Sequence, residues 1–244
     1  MIATDELKKV GFKERAGSLY LGYWPWMWCN DEQTFPHVTR RHMIHRECEM
    51  LEWLTKRTAR HEYFMSLTPR TYSYGNRGTG DETYASKPFE PWTLTLMGKL
   101  NDLLGTRFNV CFLNKYDDEH QHLGWHADDF PGMISEEPIA VVSFGAEREI
   151  WVKLQKEPCD ACAGTGCTFR EGSSPEDKID CPQCKGTGSC PSKGIVPPEQ
   201  RILLEQGSVF LMPPGYQDTH FHRIPKHSRP CGPRISLTFR SFAD

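Results

Sequence analysis

Between Gly124 and Phe130 the chain reads GWHADDF, which puts His126 and Asp128 two residues apart. In an extended strand, residues at that spacing point to the same face, so one imidazole and one carboxylate could share a metal ion. Two imidazoles and one carboxylate, with the remaining positions open, are the facial ligand set of non-haem iron(II) oxygenases. A lone HxD arises often by chance, so a third ligand must come from a distant strand. The segment Thr219–Ile224 offers both His220 and His222. These also share a strand face, and alternation alone does not choose between them. His122 and His126 have the helical four-residue spacing of a zinc site, but Gly124 lies between them and their surroundings are not helical. His120 and His122 are read as ordinary surface or hydrogen-bonded histidines.

A second constellation is built from thiols. CDACAGTG and CPQCKGTG are two copies of C-x-x-C-x-G-x-G, with eighteen residues between Cys162 and Cys181. Cys159, Cys162, Cys181 and Cys184 therefore match a four-thiolate zinc site, tetrahedral and closed to water. The glycines permit the turn that aims backbone N–H groups at the sulfurs. Six of the ten cysteines fall between Cys159 and Cys190, leaving Cys167 and Cys190 as spare thiols. The repeats are similar to those of the zinc module of DnaJ chaperones, a likeness confined to this insert that implies zinc binding alone. With so few apolar residues, the insert is expected to fold only around its metal.

The elements that position these groups follow from periodicity. Leu19–Trp24 reads as a first strand. Val38–Thr58 reads as a helix with Met43, Cys48, Leu51 and Leu54 on its apolar side and a solvated face of Arg40, Arg41, Arg46, Glu47, Lys56 and Arg57. Pro69–Pro91, rich in Gly, Pro, Thr, Ser and Tyr, is expected to form no regular element. A second helix carries Trp92, Leu96, Leu100 and Leu103 on one stripe, with Gly105 as its stop. From Arg107 the pattern becomes strand-like: Phe108–Tyr116, Ile139–Phe144, Glu149–Leu154, Arg201–Glu205, Val209–Met212, Thr219–Ile224 and Arg234–Phe242. Strands following two helices suggest a mainly β fold, a β-sandwich or jelly roll with helices packed outside.

Four strings in one order resemble the AlkB family of nucleic-acid dealkylating dioxygenases: FNVCFLNKYDDEHQHLGWHADD, PIAVVSFGAEREIWVK, GSVFLMPPGYQDTHFHRIPKH and PRISLTFR. PRTYSYGN and PFEPW upstream are also similar. The resemblance implies a double-stranded β-helix core with Fe(II) and 2-oxoglutarate as cofactors. It selects His222 over His220, because the family places a histidine before Arg-hydrophobic-Pro-Lys. Arg234 and Arg240 lie six apart on one strand face, their Cα atoms about 20 Å apart at roughly 3.3 Å per residue, and arginine's planar fork suits a buried dianion. The resemblance implies that Arg234 binds the distal carboxylate and Arg240 supports the chelating end. Asn114 and Tyr116 match the family's N-x-Y pair for the cosubstrate, and Ser236 stands where many relatives have Asn.

The implied reaction couples oxidation of the keto acid to succinate, using O2, with hydroxylation of an alkyl carbon on a base nitrogen; the hemiaminal then releases an aldehyde. The base would be flipped out of its stack. Residues 68–91 correspond to the family's nucleotide-recognition lid, with Arg70, Tyr74 and Tyr84 as candidate base contacts. Relatives often carry an acid two residues beyond the metal aspartate. Here Phe130 occupies that place, either stacking on the base or filling the core, and Asp129 comes one residue early.

These readings divide the chain into an extension with lid (1–106), a jelly-roll core (107–157 and 199–244) and a zinc-binding insert (158–198). The formal charge of −3 argues against a protein that works only by non-specific attraction to nucleic acid. No apolar run approaches the roughly 20 residues of a membrane span. Met1–Lys13 lacks the apolar region of a secretory signal, so an intracellular setting, cytoplasm or nucleus, is expected. Expected partners are alkylated DNA or RNA and O2, with a protein or nucleic-acid contact open to the insert. Two other functions fit less of the pattern: a dioxygenase of the same fold acting on protein or a small alkylated compound, and a non-catalytic nucleic-acid binding module.

Overall fold

The computed structural model describes residues 4–28, 40–54, 59–74, 82–128, 130–155, 167–169, 178–180 and 199–243. In chain order, helix α1 (Thr4–Lys9), strands β1 (Lys13–Arg15) and β2 (Ser18–Leu21), and helices α2 (Pro25–Trp28) and α3 (Arg40–Glu49) lead to β3 (His61–Ser66). Strands β4 (Thr71–Tyr74) and β5 (Glu82–Ala85) precede helix α4 (Pro91–Leu104). Then come β6 (Val110–Tyr116), β7 (Leu123–His126), β8 (Ile139–Gly145), β9 (Arg148–Leu154), β10 (Cys167–Phe169) and β11 (Lys178–Asp180). The chain closes with β12 (Gln200–Leu204), β13 (Val209–Met212), the short helix α5 (Tyr216–Thr219), β14 (His220–Ile224) and β15 (Arg234–Arg240).

Two antiparallel sheets form the core, one ordered β1-β2-β13-β8-β15-β6-β3 and the other β12-β9-β14-β7. This is the jelly roll expected from the second half of the sequence. Strict alternation divides each central strand of the larger sheet between two environments. Ile235, Leu237 and Phe239 of β15, Cys111 and Leu113 of β6, and Ala140, Val142 and Phe144 of β8 join Leu96, Met97, Leu100 and Leu104 of α4 in one apolar cluster. The intervening residues face the smaller sheet. Tyr116, Ile139, Val141 and Phe210 meet Ile150, Val152, Ile202, Leu204 and Ile224 in a second cluster. Each fully buried large apolar side chain contributes on the order of 1.5–3 kcal/mol.

Helix α4 buries Leu96 and Leu100 of its expected stripe, but Thr93, Met97 and Leu104 complete the buried face while Trp92 and Leu103 are only partly buried. Its stop is as expected, with Gly105 in the left-handed conformation (φ 60°, ψ 41°) and its N–H returning to the Asn101 carbonyl. Helix α3 is shorter than expected, and Ile44 and Cys48 rather than Met43 carry its buried face. The indole N–H of Trp53 donates to the Cys48 carbonyl at 3.0 Å, and Leu54 pairs with Glu62 of β3. The chain thus leaves the helical path to join the sheet edge. Residues 69–91 also depart from expectation. β4 and β5 pair in antiparallel register, Tyr72 opposite Tyr84 and Tyr74 opposite Glu82. The β-branched and aromatic residues of TYSY and ETYA favour strands and outweigh the glycines between them, which fall outside the described residues.

The long connection between β9 and β12 joins neighbours in the smaller sheet, with Gln200 opposite Val152. Within it, β10 and β11 pair with Cys167 opposite Asp180. The expected zinc ligands Cys159, Cys162, Cys181 and Cys184 lie outside the described residues, as do Asp129 and Cys190.

Candidate active site

His222 on β14 is paired with His126 on β7, and the step from there to Ile224 opposite Leu123 contains an irregularity. Two residues advance on β14 while three advance on β7, which is a β-bulge. The extra residue lets both Leu123 and His126 face the inter-sheet pocket, whereas plain alternation would turn one of them out. Gly124, in the bulge, also orients the ring: its carbonyl lies 2.9 Å from His126 Nδ1, which donates to it. That bond fixes the tautomer and leaves Nε2 toward the pocket. Asp128 lies two residues past the end of β7, not on a strand as its spacing suggested. The Gln217 side-chain oxygen, from α5, accepts a hydrogen bond from the Asp128 backbone N–H at 2.8 Å.

One ligand atom each of His126, Asp128 and His222 falls within 4.8 Å of the others. His126 Nε2 is 3.7 Å from Asp128 Oδ1 and His222 Nε2 is 3.9 Å from Oδ2. His220 is not part of this group. Its ring stacks on Tyr216, centroids 4.3 Å apart and nearly parallel, and Thr219 Oγ1 lies 2.8 Å from its Nδ1.

Electrostatics suit a divalent cation. Burial works to raise the Asp128 pKa, but Arg240 and the two imidazoles override it and hold the carboxyl well below its usual range. Burial pushes His222 down to about 3, helped by the neighbouring His126. Burial also lowers His126, against the pull of Asp128. Both imidazoles are therefore neutral with lone pairs available, and the carboxylate is ionised, which is the state a metal requires.

The same pocket is lined by Asn114 and Tyr116 of β6 and by Arg234, Ser236, Thr238 and Arg240 of β15. Register explains the company: Arg234 lies opposite Tyr116 and Ser236 opposite Asn114. Arg234 is wholly buried. It donates to Ser143 Oγ at 3.0 Å and lies 5.4 Å from the Tyr116 ring centroid. Its Nε and Nη1 have no hydrogen-bond partner among the described residues. Burial lowers its pKa to about 10, still high enough to keep it charged at neutral pH. A buried guanidinium with idle donors is a cradle for an anion.

Arg60, at the entrance to β3, was not singled out from the sequence. It lines the pocket, donates from Nε to Asn114 Oδ1 at 2.6 Å and pairs with the buried Glu62 at 2.6 Å. Its only sequence signal is a charged RHE run entering an apolar strand.

The substrate candidates sit differently. Arg70 does not line the pocket; it donates to Thr68 Oγ1 at 2.9 Å and the Ala243 carbonyl at 3.2 Å, and lies over the Phe242 ring. Phe130 packs against the cluster of Phe64, Val110, Phe112 and Phe242, with the Arg240 guanidinium 5.6 Å from its ring centroid. Tyr74 and Tyr84 hold places on the β4–β5 hairpin.

Outside the pocket, the smaller sheet is sealed by stacked cations. Trp151 lies between Arg201 and Arg223 at 4.0 and 4.1 Å, and Trp125 between Arg223 and Lys153 at 4.6 and 4.4 Å. These contacts bridge all four strands on the face opposite the histidines.

A jelly roll holding a buried His-Asp-His cluster beside unpaired arginine donors defines a metal-dependent oxygenase of the keto-acid type. The family model described as the 2OG-Fe(II) oxygenase superfamily matches residues 28–240, and the chain belongs to that family. It is 32% identical over 174 residues to the DNA oxidative demethylase ALKBH2 of Arabidopsis thaliana, covering 71% of this chain and 49% of the relative. With the Mus musculus ALKBH2 it shares 27% identity over 205 residues, covering 81% and 73%. With alkB homolog 3 of Rattus norvegicus it shares 26% identity, covering 82% of this chain and 58% of that one. The chain thus spans about half the length of the Arabidopsis relative. The solved structure of OsALKBH1 superposes with a TM-score of 0.52 at 15% identity, covering 94% of this chain and 99% of that one, a likeness of fold.

Proposed function

We propose that this protein is an Fe(II)- and 2-oxoglutarate-dependent dioxygenase that removes alkyl groups from nucleobases of DNA or RNA. The observation that carries the reading is the convergence of His126, Asp128 and His222 on one point of a pocket whose remaining polar lining is Arg60, Asn114, Tyr116, Arg234, Ser236, Thr238 and Arg240. Relatives named DNA oxidative demethylases support the substrate class.

In this reading His126 Nε2, one Asp128 oxygen and His222 hold Fe(II), whose chemistry when loaded with cosubstrate and O2 is oxidation of an unactivated C–H bond. Arg234 binds the distal carboxylate of 2-oxoglutarate with its idle Nε and Nη1. Tyr116, Asn114 and Ser236 hydrogen-bond the cosubstrate from one sheet face. Arg240 keeps Asp128 ionised and oriented. The apolar ring of Phe130 and the cluster behind it exclude water on the side of Asp128. Tyr74, Tyr84, Arg70 and Asp129 are the proposed contacts to the flipped base, with the β4–β5 hairpin as the covering element.

Zinc bound by Cys159, Cys162, Cys181 and Cys184 is part of the same proposal. In the sequence Cys181 directly follows Asp180, which is paired with Cys167, and Cys162 precedes Cys167 by five residues. A four-thiolate site also suits a reducing, intracellular compartment. The insert is proposed to contact protein or nucleic acid.

Succinate release, measured after anaerobic loading with Fe(II) across methylated DNA and RNA oligonucleotides, peptides and free bases, tests the proposal. Turnover with alkylated oligonucleotides is expected. Turnover with peptide and none with any nucleic acid would overturn the substrate class.

A further inference from the structure

Behind the pocket wall sits a further buried arginine, one that the site does not use directly. Arg148, the first residue of β9, is 1% exposed. Its guanidinium donates to three main-chain carbonyls: Asp118 at 3.0 Å, Gln121 at 3.0 Å and Pro225 at 2.5 Å. It also approaches Cys231 Sγ at 4.0 Å. The first two carbonyls belong to residues 117–122, which connect β6 to the strand carrying His126. The third belongs to residues 225–233, which connect the strand of His222 to that of Arg234 and Arg240. One side chain therefore ties together the two connections that flank the ligand strands. His227 N–H bonding to the Glu119 carbonyl at 2.8 Å adds a direct link between them.

Arg148 and Arg234 both lie against the Tyr116 ring, 5.7 and 5.4 Å from its centroid. No carboxylate among the described residues pairs with either arginine. Arg60 and Glu62 also lie near Tyr116 but pair with each other, so Arg148 and Arg234 are left as two buried positive charges held by carbonyl and hydroxyl dipoles. Leaving such charges unpaired is costly unless a ligand anion completes the site.

We propose that Arg148 is a positioning residue that selects a dianionic cosubstrate, by locking both flanking connections and by adding its charge to that of Arg234 at the distal end of the pocket. The inference rests on the 2-oxoglutarate reading above. At an effective dielectric of about 20, a unit charge about 10 Å away changes anion affinity by on the order of tenfold.

The test is calorimetric binding to the full-length protein loaded with Mn(II), comparing 2-oxoglutarate with its 5-amide, which lacks the distal charge. The wild type is expected to prefer the diacid. Arg148→Met should lose about tenfold of that preference, while Arg148→Lys, which keeps the charge, should retain most of it. Mn(II) affinity without keto acid should stay within about twofold in both, since Arg148 touches none of the ligands. A structural role alone would weaken diacid and amide equally, and that result overturns the proposal, as does an unchanged preference in Arg148→Met. If wild type binds no 2-oxoglutarate, the cosubstrate reading falls with it. Should Arg148→Met fail to fold, wild-type hydrogen exchange decides. Added 2-oxoglutarate should slow exchange in 117–122 and 225–233 together, and no change in either overturns the proposal.

Discussion

Arg240 Nη2 lies 2.8 Å from Asp128 Oδ2, with both side chains 5% exposed, so the carboxylate that completes the metal cluster is also half of a buried ion pair. Breaking such a pair leaves one charge uncompensated in a dry environment. Arg240→Met should therefore destabilise the metal-free protein by about 3–5 kcal/mol. Urea denaturation measures it. Adding Mn(II) should recover part of the loss, because the cation replaces the missing positive charge. Equal destabilisation with and without Mn(II) would mean that Asp128 does not face the metal.

Asp128→Ala removes the carboxylate ligand and should abolish succinate formation. Retention of full activity would show that the metal assignment is wrong.

Metal and cosubstrate should stabilise the folded state by mass action. Fe(II) or Mn(II) at about 100 times its Kd corresponds to about 2.7 kcal/mol. Thermal unfolding should show one rise in melting temperature with metal and a further rise with 2-oxoglutarate. Arg234→Met should lose the second rise and keep the first.

Thiol reactivity should separate Cys48, Cys111 and Cys231. Burial pushes the Cys48 and Cys111 thiols above their usual range, and both are wholly buried, whereas Cys231 is partly exposed. Iodoacetamide at neutral pH, followed by peptide mass mapping, should label Cys231 in the native protein and reach Cys48 and Cys111 only after unfolding. Native labelling of Cys111 would contradict its place in the apolar cluster under α4, on the strand beside β15.

Zinc and iron should be separable. Cys181→Ser is expected to lose zinc, measured by metal analysis, while Mn(II) binding at the His-Asp-His cluster persists. Loss of both metals together would show that the insert and the core depend on each other for folding.

Much of the core was legible because its alternation is so regular. Val209–Met212 is a strand over the span its apolar run suggests, and Arg234–Arg240 places its polar and apolar residues on the faces that parity assigns. What was not legible depended on contacts between distant segments. The bulge at Gly124 is invisible to alternation, because an extra residue shows itself only against the partner strand. The early end of α3 depends on Trp53 capping a carbonyl and on Leu54 finding Glu62. The β4–β5 hairpin was hidden by its glycines, which break periodicity without preventing the flanking residues from pairing. Arg60 reaches the pocket only because β3 docks beside β6, a pairing that local sequence does not announce.

Strand β15 has a consequence for how this protein can fail. Its even-numbered residues, Arg234, Ser236, Thr238 and Arg240, line the pocket, and its odd-numbered ones, Ile235, Leu237 and Phe239, lie in the apolar cluster under α4. A slip of one residue against β6 and β8 would exchange the two sets, driving two guanidinium groups under the helix and three apolar side chains into the cosubstrate pocket. A stably folded but catalytically idle register is therefore closed to this chain. Quality control of the fold and readiness of the active site are a single event.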